Sequence, residues 1–247
     1  MVAFCFSITS VSIIISVFLS RFLHPSDIRG EFIQASYRSS AAILGIAIIQ
    51  NLYGNAGMAP LMIIASVPLY NVMAVVILSI FKPGQGKLNG VVLKRTLKGI
   101  ITNPIILGIA AGTLWSLLRL PFPKILDSTV GNLAKTATPL GLMAMGGSLR
   151  FGKAFSRLKA SVACTFMKLV GYEALFLPLA IRCGFTQDKL VSIIIMLGSA
   201  STVTCFVMAK NMDHEGSFSS GVVLLTTVFS AFTLTLWLFI CKNLGLI

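Results

Sequence analysis

Apolar residues fall along this chain in long unbroken runs, without the alternation of a strand or the narrow stripe of a soluble helix. The first run, VAFCFSITSVSIIISVFLS, begins at the second residue. A helix needs about 20 apolar residues to cross a bilayer. On that measure the pattern predicts helices over about Ala3–Ser20, Arg38–Gln50, Met58–Phe81, Gly99–Leu118, Val130–Leu149, Ala160–Ile181, Lys189–Lys210 and Ser219–Cys241. Arg21–Arg38 reads as a polar segment with a turn at His24, Pro25 and Asp27. The basic Lys82–Lys98 stretch reads as a linker between two halves. The predicted fold class is an all-α polytopic membrane protein with about eight transmembrane helices.

Two of the predicted helices are weak. Gly198–Asn211 reads GSASTVTCFVMAKN, and Tyr37–Asn51 reads YRSSAAILGIAIIQN. Both are rich in small and hydroxyl-bearing residues and lie between strongly apolar spans. Small residues let backbones approach, and hydroxyls can satisfy a backbone that leaves the helical ladder. Two such segments meeting at mid-membrane would form a substrate site.

Composition supports the membrane reading. The chain is 56% hydrophobic and 11% charged, whereas soluble domains carry roughly 25% charged residues. The net charge of +13 would suggest nucleic acid in a soluble protein. Here the basic residues fall between apolar runs, so lipid headgroups and topology account for them and no nucleic-acid partner is expected. The five cysteines show no metal-ligand or paired spacing. No nucleophile–base pair, phosphate loop, metal motif or cofactor motif appears, which argues against an enzyme. The N-terminal run lacks a basic leader and a cleavage site, so it reads as a retained helix with further residues expected upstream.

Lys and Arg load the loops around Arg21–Arg38, Lys82–Lys98 and Arg150–Lys159 more heavily than the alternate loops. That bias places those loops in the cytoplasm and both termini outside. Sliding the chain by 160 positions lays the first three helices on the last three, with Ser39 on Ser199, Asn51 on Asn211 and Lys82 on Lys242. Five helices separate equivalent positions, so the two halves would have opposite orientation in the membrane.

Three segments carry a family resemblance: NPIILGIAAG at 103–112, LAKTATPLGLMAMGGSL at 133–149, and FVMAKNM at 206–212 with the closing span WLFICKNLGLI. With these the chain resembles the auxin efflux carrier family, whose bacterial members include malate and malonate permease-like proteins. The resemblance covers the whole chain. It implies a ten-helix, 5+5 inverted-repeat fold, of which this chain would lack the first two helices. It also implies a broken fourth helix in each repeat, with the two breaks crossing near the substrate. Residues 1–81 and 150–247 would form the transport bundle, 82–98 a cytoplasmic linker and 99–149 half of a scaffold. Family members often carry Asn at the position of Ser40 and Pro at Ala47 and Ala200. All three are replaced here, which leaves Gly45, Gly198 and the hydroxyls to break the helices.

The expected activity is secondary transport of small organic anions, carboxylates foremost, by alternating access in the plasma membrane. Candidate substrate-binding residues are Ser39, Ser40, Gly45, Ser199, Ser201, Thr202 and Thr204. Glu173 and Lys168 are the candidates for coupling or charge, since charges within a span need a partner or a cavity. Their five-residue separation is a poor spacing for facing one another on an α-helix. Asn103, Pro104 and Pro139 are candidates for helix breaks or gates, and Gly108 and Gly112 form a GxxxG contact motif. Proton or sodium coupling and a homodimer are both open at this level. The alternatives are a non-transporting membrane protein and a sodium-coupled anion symporter of the bile-acid type.

Overall fold

The structure is a computed structural model and describes residues 1–24, 26–84, 94, 97–99, 101–102, 104–118, 121, 123–148 and 157–247. All regular structure among them is helical. The helices are α1 (Val2–Ser20), α2 (Arg29–Tyr37), α3 (Ile46–Tyr53), α4 (Ala59–Ile80), α5 (Pro104–Leu117), α6 (Lys124–Gly147), α7 (Leu158–Phe166), α8 (Tyr172–Arg182), α9 (Gln187–Gly198), α10 (Thr204–Asn211) and α11 (Ser217–Asn243). A π turn at Ala41–Gly45 leads into α3, and a second at Met167–Gly171 joins α7 to α8.

Four helical runs are long and apolar enough to cross a membrane: Val2–Ser20, Ala59–Ile80, Leu158–Arg182 and Ser217–Asn243. They are apolar all round, as membrane spans are. Several of their hydroxyls bond back to carbonyls one turn earlier, as Ser16 does to Ser12 and Ser66 to Met62, which satisfies those groups without water. The remaining predicted spans look different in the fold. Two are divided into short halves, and α6 carries Lys124, Asp127 and Lys135 in its first turns.

The two divided helices form the centre. One is α2, a step that opens extended at Arg38 and runs to Ser40, and the π turn with α3. The other is α9, a step that opens extended at Ser199 and runs to Val203, and α10. Around them, α1 and α4 pack on α2, and α8 and α11 pack on α9. The α5 helix rests on α4, and α6 rests on α10. Each half-helix is short. The 9 residues of α2 reach about 13 Å at about 1.5 Å per residue, less than half the bilayer core.

The two ends of the bundle are distinct. At one end Arg157 pairs with Asp27 at 2.8 Å and Glu215 at 3.0 Å, and Lys82 pairs with Asp213 at 2.7 Å. The hydrogen-bonded Lys82 ammonium holds the Asp213 carboxyl below its usual range. These are loops that the basic-residue count places together. At the other end Met1, Phe185, Leu246 and Ile247 pack on one apolar cluster, and Gln187 N donates to Leu246 O. Both termini therefore share an end.

Three expectations need correction. Arg29–Tyr37 is a buried helix, although its polar residues mark it as loop. Glu31 is the reason: it is 1% exposed, and its two oxygens accept from Gly216 N and Ser219 N, each at 2.8 Å. It thereby caps the N-terminus of α11 from a distance in sequence, where a carboxylate is favoured. Second, α6 runs unbroken through Pro139, whose side chain is exposed. Third, a Cβ at Gly108 or Gly112 would meet nothing within 4 Å, so the pair makes no close helix contact among the described residues.

Candidate functional site

The two steps face each other at the centre. Ser39 Oγ and Ser199 Oγ lie 2.7 Å apart, and Ser40 N donates to Ala200 O at 2.8 Å. These are the residues that the 160-position offset superimposes. Leaving a helix frees backbone groups that lipid cannot satisfy. Here each step answers part of the other's need.

The second step has further partners. Ser201 N donates to Thr226 Oγ1 at 3.1 Å, and Ser201 Oγ donates to Ala35 O at 2.7 Å. Thr202 Oγ1 accepts from Thr204 N at 3.0 Å, a local cap for α10. Gln34 Nε2 donates to Cys205 O at 2.8 Å and ties α2 to the same turn. Gln34 Oε1 is buried with no hydrogen-bond partner.

The hydroxyl candidates therefore divide. Ser39, Ser199 and Ser201 are 3%, 0% and 2% exposed and are engaged with each other or with backbone. Ser40 and Thr202 are partly exposed and Thr204 is exposed, on the rim of the steps. Gly45 is not a break. Its backbone is helical at φ −62 and ψ −51, and a Cβ there would meet Met62 and Ile195 at 3.2 and 3.3 Å. It is small because α4 and α9 close on it.

Glu173 and Lys168 are brought to this centre. Glu173 is wholly buried on α8, and neither oxygen has a hydrogen-bond partner among the described residues. Its Oε1 occupies the space a Cβ at Gly198 would need, 2.5 Å away, so the carboxylate sits against the last residue before the second step. Lys168 is 1% exposed and acts electrostatically on Glu173. Lys168 lies in the Met167–Gly171 π turn, and no ion pair within 4 Å joins it to Glu173 among the described residues, in keeping with their five-residue spacing.

Pro104 opens α5 at a helix's first position, where its missing N–H costs nothing. Asn103 lies outside the described residues, as does most of the Lys82–Lys98 linker. One residue was missed altogether. Arg38, read as a loop cation, is 3% exposed at the first step, donating to Met208 Sδ and Asn71 Oδ1, each at 2.6 Å. Only the burial of α2 identifies it.

A cleft of about 450 Å³ bounded by Val11, Leu175, Phe176, Pro178, Leu179 and Arg182 opens elsewhere, on an outer apolar face.

A sequence profile described as membrane transport protein matches residues 1–238. The chain belongs to this family. It is the auxin efflux carrier family to which the motifs point, a family of transport proteins and not of enzymes. A protein of Rhizobium meliloti (strain 1021), named "Putative malonate transporter", is 26% identical over 162 residues. That match covers 65% of this chain and 50% of the relative, so the chain spans about half the length of the curated relative it matches. As a member of the membrane transport protein family it is a membrane protein.

Proposed function

We propose that the chain is a secondary carrier of small organic anions, carboxylates foremost, working by alternating access in the plasma membrane. The observation that carries this reading is the crossing itself. Two interrupted helices face each other through Ser39–Ser199 and Ser40–Ala200 within an apolar bundle. Interrupted helices at membrane depth occur where backbone lines a substrate site. Family membership and the name of the malonate transporter relative support an anionic cargo.

In this reading α1–α4 and α7–α11 are two inverted halves of a transport bundle. It moves against α5 and α6, and both termini lie outside the cytoplasm. The rim hydroxyls of Ser40, Thr202 and Thr204 contact the substrate. Ser39, Ser199 and Ser201 hold the two steps together beneath it. Glu173 carries the coupling proton, and its place against Gly198 links its charge state to the second step.

Uptake of labelled carboxylates into proteoliposomes tests the proposal. Wild-type protein should accumulate at least one short carboxylate. Thr202→Val and Ser40→Ala should slow uptake severalfold, and wild-type rates in both would remove them from the site. Glu173→Gln should flatten the dependence of uptake on an imposed pH gradient. An unaltered dependence, or an absolute need for sodium, would count against the proton role.

A further inference from the structure

Arg38 is the last residue before the first step, with extended backbone at φ −71 and ψ 136. A guanidinium presents five N–H donors and remains charged in a protein. Buried 97% or more, it has only two partners among the described residues, the Met208 thioether and the Asn71 amide oxygen. A thioether is a weak acceptor, and neither partner carries charge. Its Nε is buried with no hydrogen-bond partner. No Asp or Glu oxygen among the described residues lies within ion-pair distance of it.

The nearby acids do not neutralise it. Glu31 is occupied by the amides of Gly216 and Ser219. Glu173 lies within electrostatic reach of Lys168, and no ion pair joins it to Arg38 among the described residues. Arg38 and Lys168 both lie within electrostatic reach of Cys205 at the start of α10. The crossing thus holds two buried cations against one available carboxylate. An unpaired buried cation is strongly unfavourable, and a guest anion relieves it.

Asn71 is itself held, its Nδ2 donating to Val67 O at 3.1 Å, which points its oxygen at Arg38. The guanidinium is therefore held in place by Asn71 and Met208, with its Nε–H left over. An Nε–H together with a hydrogen of the adjacent Nη can bind a carboxylate through two parallel hydrogen bonds.

We propose that Arg38 is the carboxylate anchor of the transported anion, oriented by Asn71 and Met208. This inference rests on the carrier reading above and names the group that selects its cargo. The test uses the full chain, with malonate as the probe in proteoliposome uptake and in melting experiments in detergent. Arg38→Gln should raise the KM for malonate at least about tenfold and abolish the malonate-induced rise in melting temperature. The unliganded melting temperature should hold or rise, because an unpaired charge has been removed. Arg38→Lys should recover part of the affinity. Asn71→Asp supplies an internal carboxylate, so it should stabilise the unliganded protein while weakening malonate binding.

A wild-type KM in Arg38→Gln, or undiminished malonate affinity in Asn71→Asp, overturns the anchor and leaves the carrier reading standing. A lower unliganded melting temperature with an intact malonate response assigns Arg38 a structural role and also overturns it. Failure of the wild-type chain to bind or accumulate malonate or any other short carboxylate removes both proposals together.

Discussion

At the first step the chain leaves its helix at Arg38 and turns helical again at Ala41; at the second it leaves at Ser199 and resumes at Thr204. The two share an outline but are held in different ways. The second step is sewn into the bundle through Ser201, Thr226, Thr202 and Ala35, so its polar atoms are largely answered. The first contributes a buried cation with a free edge. A shared backbone outline does not impose shared chemistry. One step is fastened to its neighbours and the other carries a charge, and the anion site proposed above would need both.

The largest test of this contrast compares the glycine beside each step. Gly198→Ala would drive a methyl into Glu173 Oε1 at 2.5 Å and Leu234 at 3.1 Å, inside a packed core. It should cost about 2–3 kcal/mol of stability and stop uptake. Gly45→Ala meets the Met62 Cε tip and the Ile195 Cγ2 methyl, at 3.2 and 3.3 Å, and should cost about 1 kcal/mol. Denaturant titration in micelles reads both. Equal losses would show that Glu173 is free to move away and that the second step is no more rigid than the first.

Next in size is Ser201→Ala, which leaves the buried Ala35 carbonyl without its hydroxyl donor. The expected loss is about 1–2 kcal/mol by the same titration. A neutral result would show that the second step is not fastened through this residue.

The link between the steps is smaller. In a double-mutant cycle, Ser39→Ala and Ser199→Ala should couple by about 0.5–1.5 kcal/mol. Additive effects would mean that the hydroxyl contact contributes nothing of its own.

The smallest effect belongs to the loops. Lys82→Ala removes the exposed partner of Asp213 and should shift the melting temperature only slightly. Because Asp213 titrates below its usual range, that contribution is complete above the ordinary carboxylate pKa. It fades as the pH falls through the lowered value. A melting-temperature difference between wild type and Lys82→Ala that did not shrink as the pH fell below the ordinary carboxylate range would refute this assignment.

Chain pattern alone located the four long spans within a few residues, because lipid requires a continuous apolar surface and such runs have few alternatives. It also picked out both weak segments and paired Ser39 with Ser199, since hydroxyls and small residues in an apolar run are conspicuous. Tertiary structure decided what no local signal carries. Glu31, Gln34 and Arg38 look like residues of a solvated loop, and only amides from α11, the Cys205 carbonyl and Asn71 make their burial tolerable. A π turn at Met167–Gly171 carries Lys168, which residue spacing alone does not show. Hydrophobic burial is written residue by residue along the chain, whereas the partners of a buried polar group come from wherever folding brings them.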